Sequence, residues 1–262
     1  MSLFSGNIFS RSLVMDTQIF ACLPQDGRKY KKGPPPKTLF LLHGISGNAA
    51  NFVHNTPVHF YSQQYGIAII MPEVQRSFYQ DMKGGLLYYS YITKELPALC
   101  AELFNISVTR ENLSIAGLSM GGYGAMYAAF SAPEVFSACG AFAPACDIKS
   151  QVASYNRYAG FGQVGYRMEH EFAGIFGEDF AVPDSIDLYR LSGKVSRESL
   201  KPRLYIGTGT EDPLHDQSVK FRDHVQKLDI DMIYEEWPGD HDWIFGNEAL
   251  KRMLAHFYSA AN

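Results

Sequence analysis

Gly117-Leu118-Ser119-Met120-Gly121 places a serine two residues from a glycine on either side. A serine hydroxyl is a weak nucleophile until a base takes its proton, and it needs a backbone that holds it clear of its neighbours. The G-x-S-x-G spacing supplies one: a strand enters a sharp, strained turn and a helix leaves it. Side chains at the two glycine positions would strike the adjoining strand and helix. The helix start also leaves free N–H groups aimed at the reacting oxygen. The implied chemistry is acyl transfer through a covalent serine intermediate. The bare pattern arises by chance in roughly one chain in ten of this length, so its context decides. A phosphate loop is excluded, because Tyr123-Gly124 stands where a Lys and a Ser or Thr are required.

The base should be a histidine, and eight are present. Sites of this kind run in the order serine, acid, histidine, with the histidine in a loop between the last strand and the last helix. His241 stands there, in Gly239-Asp240-His241-Asp242-Trp243, whereas His215, His224 and His256 fall beside or within helical patterns. A carboxylate must hold the imidazole in the right tautomer and stabilise its protonated form. Leu204-Tyr205-Ile206-Gly207-Thr208-Gly209 leads into Thr210-Glu211-Asp212-Pro213, which offers two. Asp212 is the choice and Glu211 its immediate rival, while Asp216 reads as a helix-opening residue. The oxyanion needs two backbone donors. One is the N–H of Met120. The other comes from His43-Gly44-Ile45-Ser46-Gly47, with Ile45 assigned and Ser46 next in line. His43 itself reads as a packing or hydrogen-bonding residue beneath that loop.

These residues need a scaffold, and the chain supplies an alternation. Brief apolar runs at Thr38–Leu42, 67–71, 113–116, 139–142, 204–206 and Met232–Trp237 lack polar alternation, as strands buried on both faces do. Two further strands, 7–13 and 18–23, flank a turn at 14–16, and the basic, proline-rich stretch 28–37 reads as a solvated loop. Helical spacing marks 89–104 (which Pro97 should bend), 121–131, 216–228 and 242–258. The expectation is an α/β fold with a mostly parallel central sheet and helices on both faces. One segment, 149–200, exceeds a single crossover helix and is rich in aromatics: Tyr155, Tyr158, Phe161, Tyr166, Phe172, Phe176 and Phe180. It reads either as a short insertion over the active site or as ordinary helices with core aromatics. Tyr79, Tyr88 and Phe142 likewise read as walls of an acyl pocket or as core.

Composition narrows the rest. The chain has 262 residues, 23 Lys and Arg against 27 Asp and Glu, a net charge of −4 and 46% hydrophobic residues. That excludes dominant disorder and argues against nucleic acid as the main partner. A single domain spanning 1–262 is expected. There is neither a signal-like apolar core near the start nor a run long enough to span a bilayer, so a cytoplasmic protein is expected. Cys22, Cys100, Cys139 and Cys146 show no paired spacing and read as free thiols. No metal or organic cofactor is required, the partner is a small-molecule ester, and a homo-oligomer remains open.

Leu41-Leu42-His43-Gly44-Ile45-Ser46-Gly47-Asn48, Gly117 to Gly124, and Gly239-Asp240-His241-Asp242-Trp243 together resemble the tributyrin esterase branch of the esterase D-like α/β-hydrolases. S-formylglutathione hydrolases, feruloyl esterases and mycolyltransferase antigens are related branches, and the likeness covers nearly the whole chain, including Glu95-Leu96-Pro97. It implies the α/β-hydrolase fold and a serine carboxylesterase for short acyl chains. It supports Ser119, Asp212 and His241 position by position and suggests that Trp243 lies near the site. S-formylglutathione hydrolases typically carry a cysteine shortly after the His-Gly-Leu stretch, where this chain has Ser46-Gly47. A thioesterase or feruloyl-type aryl esterase is the alternative, ahead of an acyltransferase or a non-catalytic binding protein.

Overall fold

Successive residues of a strand point to opposite faces of its sheet, so a run buried throughout must be covered on both. Thr38–Leu42 is such a run: Leu39 and Leu41 join one core, Phe40 and Leu42 the other. The structure is a computed structural model describing residues 1–25, 33–154 and 163–258. Its first half contains β1 (Ser2–Ser10), β2 (Met15–Leu23), β3 (Thr38–Leu42), α1 (Asn51–Asn55), α2 (Val58–Tyr65), β4 (Ala68–Pro72) and α3 (Tyr88–Ser90). A π turn (Tyr91–Glu95) and α4 (Leu96–Phe104) follow, then β5 (Leu113–Leu118), α5 (Met120–Ser131) and β6 (Ala138–Phe142). The remainder is α6 (Ile148–Ser154), α7 (Gln163–Phe176), α8 (Leu188–Val195), β7 (Arg203–Gly209), α9 (His215–Val225), β8 (Met232–Trp237) and α10 (Trp243–Phe257).

The eight strands form one sheet in the order β1-β2-β4-β3-β5-β6-β7-β8. The β1/β2 and β2/β4 pairs are antiparallel and the others parallel. Helices α1, α2 and α10 cover one face through Phe52, Val58, Tyr61, Ala249, Leu250 and Met253. The other face lies under α4, α5, α8 and α9. This is the expected α/β-hydrolase fold. In α5 every residue from Met120 to Phe130 is buried, as for a helix wedged between the sheet and α8. None of the helices among the described residues is long and apolar enough to cross a membrane.

Several boundaries differ from the sequence reading, each for a local reason. β1 begins at Ser2, not residue 7, because it pairs with β2 along its whole length, from Ser2 opposite Leu23 to Ser10 opposite Met15. The hairpin turn is therefore 11–14, with Val14 at φ 53°. The helix expected over 89–104 is not merely bent: the Leu96 N–H reaches the Tyr91 carbonyl, five residues back. Pro97, lacking an N–H and crowding the carbonyl four residues earlier, sits immediately after this widened turn. Helix α9 stops at Val225, short of residue 228.

The segment 149–200 divides between its two readings. α8 packs against α5 and α9 and is an ordinary covering helix. Phe172 and Phe176 are buried core residues with ring centroids 5.8 Å apart, and Phe78 lies 5.4 Å from Phe172. Tyr155, Tyr158, Phe161, the side chain of Tyr166 and residues 28–32 of the expected loop fall outside the described residues. Phe142 and Tyr88 are core, at 0% and 1% exposure.

The hairpin is fastened by one carboxylate. Glu95, in the π turn, accepts from Ser10 Oγ at 2.8 Å, the Arg11 N–H at 2.6 Å and the Ser12 N–H at 2.9 Å. Burial opposes the charge, but these donors outweigh it and hold the carboxyl below its usual range. A group whose folded pKa is depressed stabilises fully above its unfolded pKa, and the effect is lost as pH falls through the folded value. Glu95→Ala is therefore expected to cost about 1–3 kcal/mol near pH 7. In urea unfolding the gap from wild type should close towards about pH 3; a gap independent of pH would mean that only packing had been lost.

Candidate active site

Four loops at the carboxyl ends of parallel strands carry the candidate residues: after β3 (residues 43–50), after β5 (Ser119), after β7 (Asp212) and after β8 (His241). Ser119 occupies the turn between β5 and α5 at φ 61°, ψ −117°, a strained conformation for a residue with a side chain. The turn is held from both sides: the Ser119 N–H donates to the Phe142 carbonyl at 2.8 Å, and its carbonyl accepts from the Tyr123 N–H at 3.1 Å. The flanking glycines are required sterically. A Cβ on Gly117 would run into the backbone of Gly121, and one on Gly121 into the carbonyls of Leu42 and His43.

Asp212 and His241 are brought together. Asp212 Oδ2 lies 2.7 Å from His241 Nδ1, with the carboxylate side chain fully buried and the imidazole 30% exposed. The other carboxylate oxygen accepts from the Leu214 N–H at 2.7 Å, which leaves the group fixed. Glu211, the rival, faces elsewhere: it accepts from the Gly239 N–H and from Thr210 Oγ1, pinning the loop that carries His241. Asp242 caps α10 by accepting from the Phe245 N–H at 2.8 Å. Leu118, one residue before the serine, packs on α10, where a Cβ on Gly246 would lie 3.2 Å from Leu118 Cδ2. Ser119 Oγ makes no hydrogen bond among the described residues.

The loop after β3 passes beside the serine, a Cβ on Gly44 falling 3.5 Å from Ser119 Cβ. Among the described residues, neither the Ile45 N–H nor the Met120 N–H has an acceptor. His43 lies beneath this loop as its sequence reading expected, whereas the part played by Glu73 was not evident from the sequence. His43 is 1% exposed; its Nδ1 donates to the Gly44 carbonyl at 2.8 Å and its Nε2 accepts from the Val74 N–H at 3.2 Å. Glu73 accepts from the Ala49 N–H at 2.9 Å and from the Gln75 N–H at 2.7 Å. Burial raises the Glu73 carboxyl, but the His43 ring 3.4 Å away, and then these backbone donors, bring it below its usual range.

Tyr79, read as a substrate-binding residue, is 1% exposed and does not face an open cleft. Its hydroxyl donates to the His43 carbonyl at 2.8 Å, and burial pushes its pKa well up, so it remains a neutral donor. Its part is to hold the loop rather than to meet substrate. Trp243, the first residue of α10, is partly exposed and sets its ring edge against Phe52, centroids 5.0 Å apart. No periodicity marks Glu73 or Tyr79, since both lie in the irregular stretch after β4.

Comparison with known proteins places these observations. A family model described as "Putative esterase" matches residues 10–257. An acetyl esterase of Caldicellulosiruptor saccharolyticus is 29% identical over 265 residues, covering 95% of each chain. Among solved structures, a fluorophosphonate-binding serine hydrolase of Staphylococcus aureus, determined with substrate bound, superposes with TM-score 0.85 at 27% identity over 98% of each chain. An S-formylglutathione hydrolase of the same organism gives 0.83, also at 27% identity and 98% of each chain.

Tyr79→Phe removes the hydroxyl that holds the His43 carbonyl and little else. A net loss of about 1 kcal/mol is expected, or a roughly fivefold fall in kcat on p-nitrophenyl acetate with KM nearly unchanged. Steady-state kinetics check this; an effect confined to KM would place Tyr79 against the substrate instead.

Proposed function

The chain belongs to this esterase family and is a serine hydrolase of carboxylic esters, and from that premise we propose that it cleaves short-chain acyl esters with Ser119 as nucleophile, His241 as general base and Asp212 as the carboxylate that orients it. The observation that carries this reading is the 2.7 Å contact between the buried Asp212 carboxylate and His241 Nδ1, which leaves Nε2 as the acceptor for the serine proton. Nucleophile–base hydrogen bonds are often open in resting sites and close when substrate arrives, and the unengaged Ser119 hydroxyl is compatible with that.

The steps follow. His241 Nε2 takes the Ser119 proton as Oγ attacks the ester carbonyl. The tetrahedral oxyanion is held by the N–H groups of Met120 and Ile45, each such donor being worth roughly 2.7–4 kcal/mol in comparable enzymes. His241 returns the proton to the leaving alcohol. Water, deprotonated by the same imidazole, then hydrolyses the acyl-enzyme. Trp243, at the mouth of α10, is proposed to border the substrate. No metal or organic cofactor enters these steps.

Two relatives frame the substrate. The acetyl esterase supports a small acyl group, while the S-formylglutathione hydrolase supports a thioester reading, against which stands Ser46-Gly47 where a cysteine is typical. A panel of p-nitrophenyl acetate, butyrate and decanoate together with an acyl thioester separates them. Turnover is expected to fall from acetate to decanoate, and best turnover on decanoate would sink the short-chain assignment.

The nucleophile is tested directly. A serine-directed fluorophosphonate is expected to label the folded protein on Ser119, located by peptide mapping, and Ser119→Ala should lose both the label and at least about a thousandfold in kcat. Full labelling of the alanine variant would move the nucleophile elsewhere.

A further inference from the structure

The sheet has two free edges, and they are built differently. β8, six residues long, carries Glu235 and Glu236, and charge of that kind discourages strand addition. β1 is nine residues long, Ser-Leu-Phe-Ser-Gly-Asn-Ile-Phe-Ser, and has no Pro, Lys, Arg, Asp or Glu. Its pairing with β2 runs unbroken from end to end, without a bulge to turn the edge away. Leu3, Phe4 and Phe9 are 48%, 49% and 58% exposed along it. Among the described residues, β1 has neither the charge, the proline, the bulge nor the short length that normally blunts an edge.

The same strand is self-complementary. Turned antiparallel about Gly6, it faces a second copy of itself with Leu3 opposite Phe9, Phe4 opposite Ile8, Ser5 opposite Asn7 and Ser2 opposite Ser10. Apolar residues meet apolar ones and polar meet polar, on both faces of the sheet. Nothing lies within 4 Å of the space a Gly6 Cβ would fill, so the dyad position is open. Two copies at −4 repel overall, yet the strip brings no like charges together.

We propose that the chain forms a two-fold dimer by antiparallel β1–β1 pairing centred on Gly6, joining the two sheets into one of sixteen strands. A nine-residue antiparallel ladder adds about eight to ten backbone hydrogen bonds, comparable to the roughly ten of a typical interface. The exposed parts of Leu3, Phe4 and Phe9 come to about 300 Å² per copy. The pair together thus covers about half of the ~1,200 Å² that small specific interfaces bury. The ladder backbone supplies much of the remainder. The association is therefore reversible and depends on concentration.

The experiment reads mass and register together. Sedimentation of the full chain from low to high micromolar concentration is expected to show a monomer–dimer equilibrium. All four native cysteines are buried, so Gly6→Cys introduces the one exposed thiol among the described residues. Its copies would face each other at about 4.5–5.5 Å between Cα atoms, within disulfide reach. Ser5→Cys, displaced diagonally to about 7–8 Å, lies outside it. Gly6→Cys should cross-link under mild oxidation at least ten times faster than Ser5→Cys, with esterase activity retained as the check on folding. In a second test, Leu3→Lys with Phe9→Lys should abolish the dimer, and Leu3→Lys with Phe9→Glu should restore it. A monomer at every concentration, cross-linking no faster at position 6 than at 5, or equal behaviour of the two charge variants overturns the proposal.

Discussion

Three backbone segments meet around Ser119 with no room for side chains between them. The end of β5, the first turn of α5 and the loop after β3 approach so closely that a methyl group on Gly117 or Gly121 would overlap peptide atoms. The strain at Ser119 exists because of that approach. Its φ of 61° would relax in a free chain, and it persists because β6, through the Phe142 carbonyl, and α5, through the Tyr123 N–H, hold both sides of the turn. A parallel sheet with a buried helix on its face is what makes such a turn affordable, since α5 has nowhere else to go.

A different balance governs the acid–base pair. Burying a carboxylate costs free energy unless it is fully hydrogen-bonded. Asp212 meets that condition with one oxygen on the Leu214 N–H and the other on His241. The neighbouring Glu211 could have competed for the same ring. Its carboxylate is instead committed to the Gly239 N–H and Thr210, so two adjacent acids divide the work of orienting the imidazole and shaping the loop that carries it.

Legibility in the sequence follows the same physics. Strands β3 to β7 could be read because burial on both faces leaves an unbroken apolar run, and the elbow because steric need imposes glycines at a fixed spacing. Asp212 and His241 could be located from chain order once the strands were placed. The start of β1 could not, because an edge strand answers to its partner rather than to a core, and Ser2 to Gly6 carry no burial signal. Nor could the π turn, which depends on how Pro97 is accommodated within a packed helix. Tyr79 stayed open between pocket wall and core for a related reason: an aromatic in an irregular stretch looks alike whether it lines a cleft or supports a loop, and the partner of its hydroxyl shows the second.

That irregular stretch, residues 73–87, ties together the elements around the site. Glu73 and Val74 reach the loop after β3 through Ala49 and His43, and Tyr79 reaches it again through the His43 carbonyl. Gln80 donates to the Tyr123 hydroxyl, which belongs to α5, the helix that follows Ser119, and itself donates to the Ile186 carbonyl. Lys83 and Gly84 take carbonyls of α7, and Arg76 pairs with Glu171 of that helix at 2.8 Å. At its far end the Leu87 N–H holds the β1–β2 turn through the Ser12 carbonyl. An oxyanion site works only if its donors are already in place when charge develops, because reorganisation at that moment would cancel the gain. Residues 73–87 hold the loop after β3 in place, at the Ala49 N–H and at both the ring and the carbonyl of His43.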